Sequence, residues 1–212
     1  MANLAWIYGN QGKWKEAEEL DVQVLDMRKK VLGAEHPDTL KSMAILAWIY
    51  GSRGKWNEAE KLAVQVLDMR RKMLGEEHPD TLENRADIVW IYGGQGKWNE
   101  AEKLGVQVLD MRNNVLGKEH PNTLESMANL SWIYGNQGKW NEAEELDVQV
   151  FDMRKKVLGE EHPDTLESMA DLAWIYGDQG KWNEAEELDV QVLDMRRKVL
   201  GAEHPDTQLH PQ

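Results

Sequence analysis

The sequence predicts an all-α solenoid, and three observations carry that reading. The string MRKKVLGAEHPDTL at Met27–Leu40 returns as MRRKMLGEEHPDTL at Met69–Leu82, and again from Met111, Met153 and Met195. The spacing is 42 residues each time, so five units (1–42, 43–84, 85–126, 127–168 and 169–210) cover all but Pro211 and Gln212. Within each unit, apolar residues recur at three- and four-residue steps in two runs separated by a Gly-containing turn, which is helical periodicity. A fixed period of this length marks stacked supersecondary units in place of one globular core. The chain therefore reads as a single repeat domain over 1–212.

The unit from Asp38 to Gly75 shows how each element arises. Pro37 fixes a helix-compatible φ, and Asp38 or Thr39 is expected to cap the first turn. The first helix is expected over Leu40–Ser52, where Leu40, Met43, Leu46, Ala47, Ile49 and Tyr50 form a broad apolar face. Gly51 and Gly54 are expected to stop it. Asn57 followed by Glu60 has the capping-box spacing for a second helix. That helix should run to Leu74, with Arg70, Arg71 and Lys72 at its negative dipole end and Gly75 in the C′ position.

Composition narrows the function. The absence of cysteine removes disulfides and thiolate metal sites. No stretch approaches the roughly 18 apolar residues of a membrane span, and the N-terminus lacks a basic leader ahead of an apolar run. A soluble, cytoplasmic protein with no membrane partner is expected. The formal charge of −13 argues against nucleic acid, whose phosphates need clustered Lys and Arg.

The residues LAWIY, QGKW, EAE, VLDMRKKVLG and EHPDT, recurring over the whole chain, resemble the 42-residue tetratricopeptide repeats of kinesin light chains. The same type occurs in the arrays of fungal and bacterial nucleotide-binding receptor-like proteins. The resemblance implies a right-handed superhelix of helix-turn-helix units whose first helices line a concave groove. It also implies a non-catalytic scaffold or ligand-sensing role, with a protein or extended peptide as partner. Two departures bear on specificity: most relatives have first helices free of Trp, yet Trp6, Trp48, Trp90, Trp132 and Trp174 recur here. Many relatives also place a bulky aromatic where this chain has Asp21, Ala63, Gly105, Asp147 and Asp189.

At 100° per residue, Lys41, Ile45, Trp48 and Ser52 fall within about 60° of one another and form one stripe on the first helix. If the family arrangement holds, the stripe lines the groove. Tyr50 and Trp56 have identical counterparts in every unit, whereas the stripe varies. Ile45 becomes Asp87, Asn129 and Asp171; Lys41 becomes Glu83, Glu125 and Glu167; Ser52 becomes Asn136 and Asp178 in the fourth and fifth units. A ligand surface and drift at solvated positions both account for this. The Trp ladder beside these carboxylates suits a basic-apolar peptide through burial and cation–π contact. Alternatively, each indole packs flat between neighbouring first helices and stiffens the array. Trp14, Trp56, Trp98, Trp140 and Trp182 are expected in the core.

Other chemical signals resolve to structure. GSRGKW at Gly51–Trp56 lacks the spacing, the hydroxyl and the preceding strand of a phosphate loop. His36 and its four counterparts lie one per repeat, too far apart for a shared metal, and read as loop caps. Glu16, Glu18 and Glu19 read as a solvated helix start favoured by the dipole. The invariant Arg28, Arg70, Arg112, Arg154 and Arg196 lie near the apolar stripe of the second helix, so each is expected to pair with a carboxylate or loop carbonyl at the EHPDT junction. No enzyme, cofactor or metal is expected. The leading expectation is the ligand-sensing repeat array of a larger intracellular receptor-like protein, and the start without an EHPDTL lead-in, with the lack of a nucleotide-binding segment, suggests a fragment or a repeat-only product. A second reading is a self-assembling structural module joined weakly head to tail. Gln208 stands where Leu40, Leu82, Leu124 and Leu166 begin the next helix, so Leu188, Val192 and Met195 are expected to lack cover.

Overall fold

The computed structural model describes Tyr8 and residues 13–201, with the side chain of Leu200 left aside. Among the described residues every regular element is a helix: α1 (Trp14–Leu32), α2 (Pro37–Ser52), α3 (Trp56–Leu74), α4 (Pro79–Gly94), α5 (Trp98–Leu116), α6 (Pro121–Asn136), α7 (Trp140–Leu158), α8 (Pro163–Asp178) and α9 (Trp182–Leu200). They alternate between 16 and 19 residues. The chain forms two compact units, residues 1–111 and 112–212, and the division falls within α5. In the first unit, α1 packs on α2, α2 on α3, and α3 on α4; in the second, α6 packs on α7, α7 on α8, and α8 on α9.

The first helix of each pair starts three residues earlier than its apolar pattern indicates. His36 occupies the N-cap, and its Nδ1 accepts the backbone N–H of Asp38 at 3.1 Å, with Pro37 as the first helical residue. The same bond recurs at His78, His120 and His162. Neither Asp38 nor Thr39 is the cap. Thr39 instead donates its hydroxyl to the carbonyl of Gly33 at 2.8 Å, tying the new helix to the end of the previous one. The loop-capping role expected of the histidines is the one that these four play, and His204 lies outside the described residues.

Gly51 lies inside α2 rather than ending it; the stop is Gly54, at φ +72°, a left-handed conformation that favours glycine. The second helices begin at the tryptophan, with Lys55 in the N-cap position and no side-chain cap. The expected capping box is therefore not made. Glu60 turns outward to the next repeat, where it accepts from Gln95 Nε2 at 2.7 Å and Lys97 Nζ at 3.0 Å. Glu144 does the same with Gln179 and Lys181, and Glu18 with Lys55 and Arg53. Glu18 is thus a clamp between repeats and not a solvated helix start.

The apolar face predicted for α2 is the core: Leu40, Met43, Leu46, Ala47 and Ile49 are all buried. Leu40, Met43 and Leu46 pack with Leu25 and Val66, while Ala47 joins Ala59, Ala63, Ile88 and Ile91. Arg28, Arg70, Arg112 and Arg154 each close a junction as expected, while the junction after Arg196 lies outside the described residues. Arg70 donates to the Asp80 carbonyl at 2.7 Å and Arg154 to that of Asp164 at 2.8 Å. Arg112, the largest fully buried side chain described, donates to Asn122 O at 2.5 Å and Ser126 Oγ at 2.7 Å. On α9, Val192 is buried against Leu166 and Met169 of α8, with Leu188 and Met195 packed beside it. Those three residues are therefore covered from α8, and the cover that their counterparts receive from a following repeat falls outside the described residues. Trp182 is the open residue there, 71% exposed.

Candidate functional site

Because α2 and α4 both contribute first-helix stripes, a concavity of about 420 Å3 lies between them. Lys41, Ile45 and Trp48 line it from α2, Glu83 and Asp87 from α4, and Arg70 from α3. The second unit repeats the plan between α6 and α8 with a larger concavity of about 560 Å3. Glu125, Asn129 and Trp132 face it from α6, Glu167, Asp171 and Trp174 from α8, and Asp147 and Arg154 from α7.

The stripe read from the sequence is thus brought together in two places, with exceptions. Ser52, Trp90, Asn136 and Asp178 line neither concavity. Ser52, Asn136 and Asp178 are the last residues of their helices, and the Asn136 amide donates back to Trp132 O at 2.8 Å. Trp6 lies outside the described residues.

The tryptophans divide their surface between packing and solvent. Trp90 lies across Gly51 of the preceding first helix, where a Cβ would come within 2.4 Å of its ring. It meets Trp56 edge-on, with centroids 5.1 Å apart and planes at 69°. Trp48 meets Trp14, and Trp174 meets Trp140, in the same manner. The indoles therefore pack between repeats edge to face, not flat, and glycine is the residue that admits them. Trp132 and Trp174 keep 37% and 47% of their surface exposed, while Trp48 and Trp90 are half-buried. Trp14, Trp56, Trp98 and Trp140 are half-buried, with Trp56 packed against the core, whereas Trp182 is open to solvent and is not core.

The electrostatics of the two concavities differ. In the first, Lys41 and Arg70 offset Asp38, Asp80, Glu83 and Asp87. In the second, Arg154 alone faces Glu125, Asp147, Asp164, Glu167 and Asp171. Arg154 is already committed to the Asp164 carbonyl, to Ser168 Oγ and, at 3.6 Å, to Glu167. Burial pushes the Asp147 carboxyl up to about 7, with Asp171 adding to the rise and a Ser131 contact and Arg154 opposing it. Asp171 is raised to about 6 by loss of hydration and by Glu167, against Arg154 and Arg196. By surface area Asp171 is exposed, so Asp147 is the carboxyl held most firmly out of water.

Asp147 and the floor arginines were missed as site residues. The signal for Asp147 was present as a carboxylate at a second-helix position where the family places a large aromatic. Among the described residues no group of His, Cys, Asp and Glu is placed to hold a metal, and no helix is long and apolar enough to cross a membrane.

Models of the tetratricopeptide repeat match residues 1–72, 53–114, 123–164 and 165–206. The chain belongs to the tetratricopeptide repeat family. Its repeats are of the kinesin light chain type: they are similar to the nearly identical TPR-like repeats of a Podosopora anserina kinesin light chain candidate. The identity is 36% over 93% of both chains, with a TM-score of 0.73. At the level of fold, the chain is also similar to BtubC (BKLC) from P. vanneervenii, with 19% identity, 99% and 83% coverage and a TM-score of 0.74. A further likeness is to NprR in complex with its cognate peptide NprX, with 16% identity, 93% and 55% coverage and a TM-score of 0.71. No curated protein matches the chain.

Proposed function

We propose that the chain is a non-catalytic peptide- or protein-binding array whose first-helix stripe is the binding surface. The supporting observation is that both concavities are formed by that stripe and combine tryptophan with an excess of carboxylates. The ligand is an extended basic-apolar segment: apolar side chains bury against Ile45 and the indoles, and cations meet Glu83, Glu125 and Glu167. Exposed cation–π contacts contribute only about 0.5–1 kcal/mol each, so several repeats act together. NprR, similar in fold, is a protein solved with its peptide.

In this reading residues 1–212 form one right-handed array of five repeats, with the boundaries given above, in the cytoplasm, as the sensing segment of a larger receptor-like protein. Ser52, Trp90, Asn136 and Asp178 belong to the same stripe and act at its margins, and Trp6 is the stripe's sequence counterpart in the first unit. A charge-varied peptide library screened against the chain tests the reading. Basic-apolar peptides are expected to be retained, and equal or stronger retention of acidic ones removes it.

The alternative reading, weak head-to-tail self-association, draws on Trp182. Its counterparts Trp56 and Trp140 are half-buried and each meets a tryptophan of the next repeat edge-on, whereas Trp182 is 71% exposed. Sedimentation over a wide concentration range tests it. A strict monomer at every concentration and salt removes it.

A further inference from the structure

The two concavities share a plan but differ at one register of the second helix. In α3 that register holds Ala63, buried and apolar; in α7 it holds Asp147, only 3% exposed and facing the concavity. The Asp147 carboxyl contacts the Ser131 hydroxyl. That hydroxyl also donates to the carbonyl of Ala143 at 3.1 Å, and a neutral hydroxyl shared between two acceptors does not supply the counter-charge of an ionised carboxylate. Arg154 lies two turns along the same helix and spends its Nη1 on Asp164 O, Ser168 Oγ and Glu167. Among the described residues, no Lys, Arg or His is ion-paired with Asp147. A carboxylate removed from water without a counter-charge is costly. Here one is aimed into a cavity that solvent reaches between two exposed indoles.

We propose that the α6/α8 concavity is the subsite for one cationic side chain of the bound peptide, with the Asp147 carboxylate as its counter-ion and Trp132 and Trp174 as its aromatic walls. The proposal rests on the peptide-binding reading above and deepens it. A volume of about 560 Å3 accommodates a long side chain with its flanking backbone. Arginine is the better fit, because its planar, weakly hydrated guanidinium stacks on indole faces while its edge donates to a carboxylate. The α2/α4 concavity, with Ala63 at this register and Ile45 on its wall, takes an apolar side chain.

Cation entry displaces a proton. With the Asp147 carboxyl raised to about 7, only its ionised form provides the counter-charge. The ionised fraction climbs from roughly a tenth at pH 6 to nine tenths at pH 8, an increase of about tenfold in binding-competent protein. The other charged groups facing the site are Glu125 on α6, Arg154 on α7, and Asp164, Glu167 and Asp171 on α8; Arg196 on α9 acts on Asp171. Asp171, raised to about 6, titrates in the same direction.

The test uses the full chain, calorimetry at pH 6 and pH 8, and three amidated peptides: Leu-Arg-Leu-Arg-Leu, its neutral citrulline counterpart and its glutamate counterpart. The arginine peptide should bind about tenfold more tightly at pH 8, and the citrulline peptide should show no such slope. Asp147→Ala introduces the residue that α3 already carries at this register, and Asp147→Asn keeps the shape. Both should weaken the arginine peptide about tenfold at pH 8 and abolish the pH slope. Glu58→Gln, exposed at the start of α3 and outside both concavities, should leave the slope intact. If both Asp147 variants retain the slope and the preference for arginine over citrulline, the subsite is wrong while the peptide-binding reading stands. If no peptide binds in any form, both are wrong.

Discussion

Gly51 tests the packing that positions the binding surface. A Cβ at this position would lie 2.4 and 2.5 Å from two ring atoms of Trp90 and 3.1 Å from Trp56. Carbon atoms in contact prefer about 3.5–4.0 Å, so Gly51→Ala must drive the Trp90 ring back by roughly 1 Å. Overpacking of this kind costs about 1–3 kcal/mol. Loosening the Trp56–Trp90 edge-to-face pair forfeits up to about 0.5–1.5 kcal/mol more. Against this stands a helix-propensity gain of at most about 1 kcal/mol for replacing glycine, and less in a final turn. The net expectation is destabilisation of about 1–2 kcal/mol. Two equivalent glycines grade the effect: a Cβ at Gly135 meets Trp174 at 2.8 Å, and one at Gly177 meets only Trp182, at 3.7 Å. Chemical denaturation followed by tryptophan fluorescence should rank Gly51→Ala as most harmful and Gly135→Ala as intermediate. Gly177→Ala should be neutral or stabilising. Equal destabilisation by all three would refute indole packing as the reason for these glycines.

Asp21 is fully buried and its carboxyl oxygens have no hydrogen-bond partner among the described residues, with burial raising it to about 6 against Arg28. A carboxyl raised on folding favours the fold below its unfolded value near 3.8, and that stability is lost as pH rises towards 6. Asp21→Ala should therefore raise stability at pH 7 by on the order of 3 kcal/mol, at about 1.4 kcal/mol per pH unit, and the gain should vanish near pH 4 in thermal melts. Glu60 behaves oppositely, because its bonds to Gln95 and Lys97 hold it below the usual 4.5. Its contribution is present above that value and fades as acid protonates it, so Glu60→Gln should cost about 0.5–1 kcal/mol at pH 7 and less near pH 3. The third repeat should open first: α5 carries Gly105 and no basic residue in its last turn, where α7 has Lys155 and Lys156. Interior glycine costs about 1 kcal/mol and the missing dipole partner about 0.3–1. Amides of α5 should exchange faster than those of α7 by hydrogen exchange, and equal rates would contradict this.

Repeat period and apolar spacing sufficed for the helices, their order and the buried face of α2, because these depend on regular local patterns. The arginine junctions were legible as well, since a charge on an apolar stripe must find a partner. What the pattern hid was choice among equivalent polar groups. His36 wins the cap from Asp38 because Pro37 places the ring back over the Asp38 amide, and Glu60 leaves its own helix start for the longer reach to Lys97. The stripe residues were found by angle alone. Asp147 was not, because it reaches the concavity from the second helix, and that depends on how three helices meet.

The binding surface itself is tested most directly by the indole N–H resonances of the labelled chain during titration with the tightest basic-apolar peptide from the library. The signals of Trp48, Trp132 and Trp174, which line the two concavities, should shift together. Trp182, the most exposed tryptophan described but outside both, should stay in place. Shifts confined to Trp182, with the three concavity signals unmoved, would contradict the account.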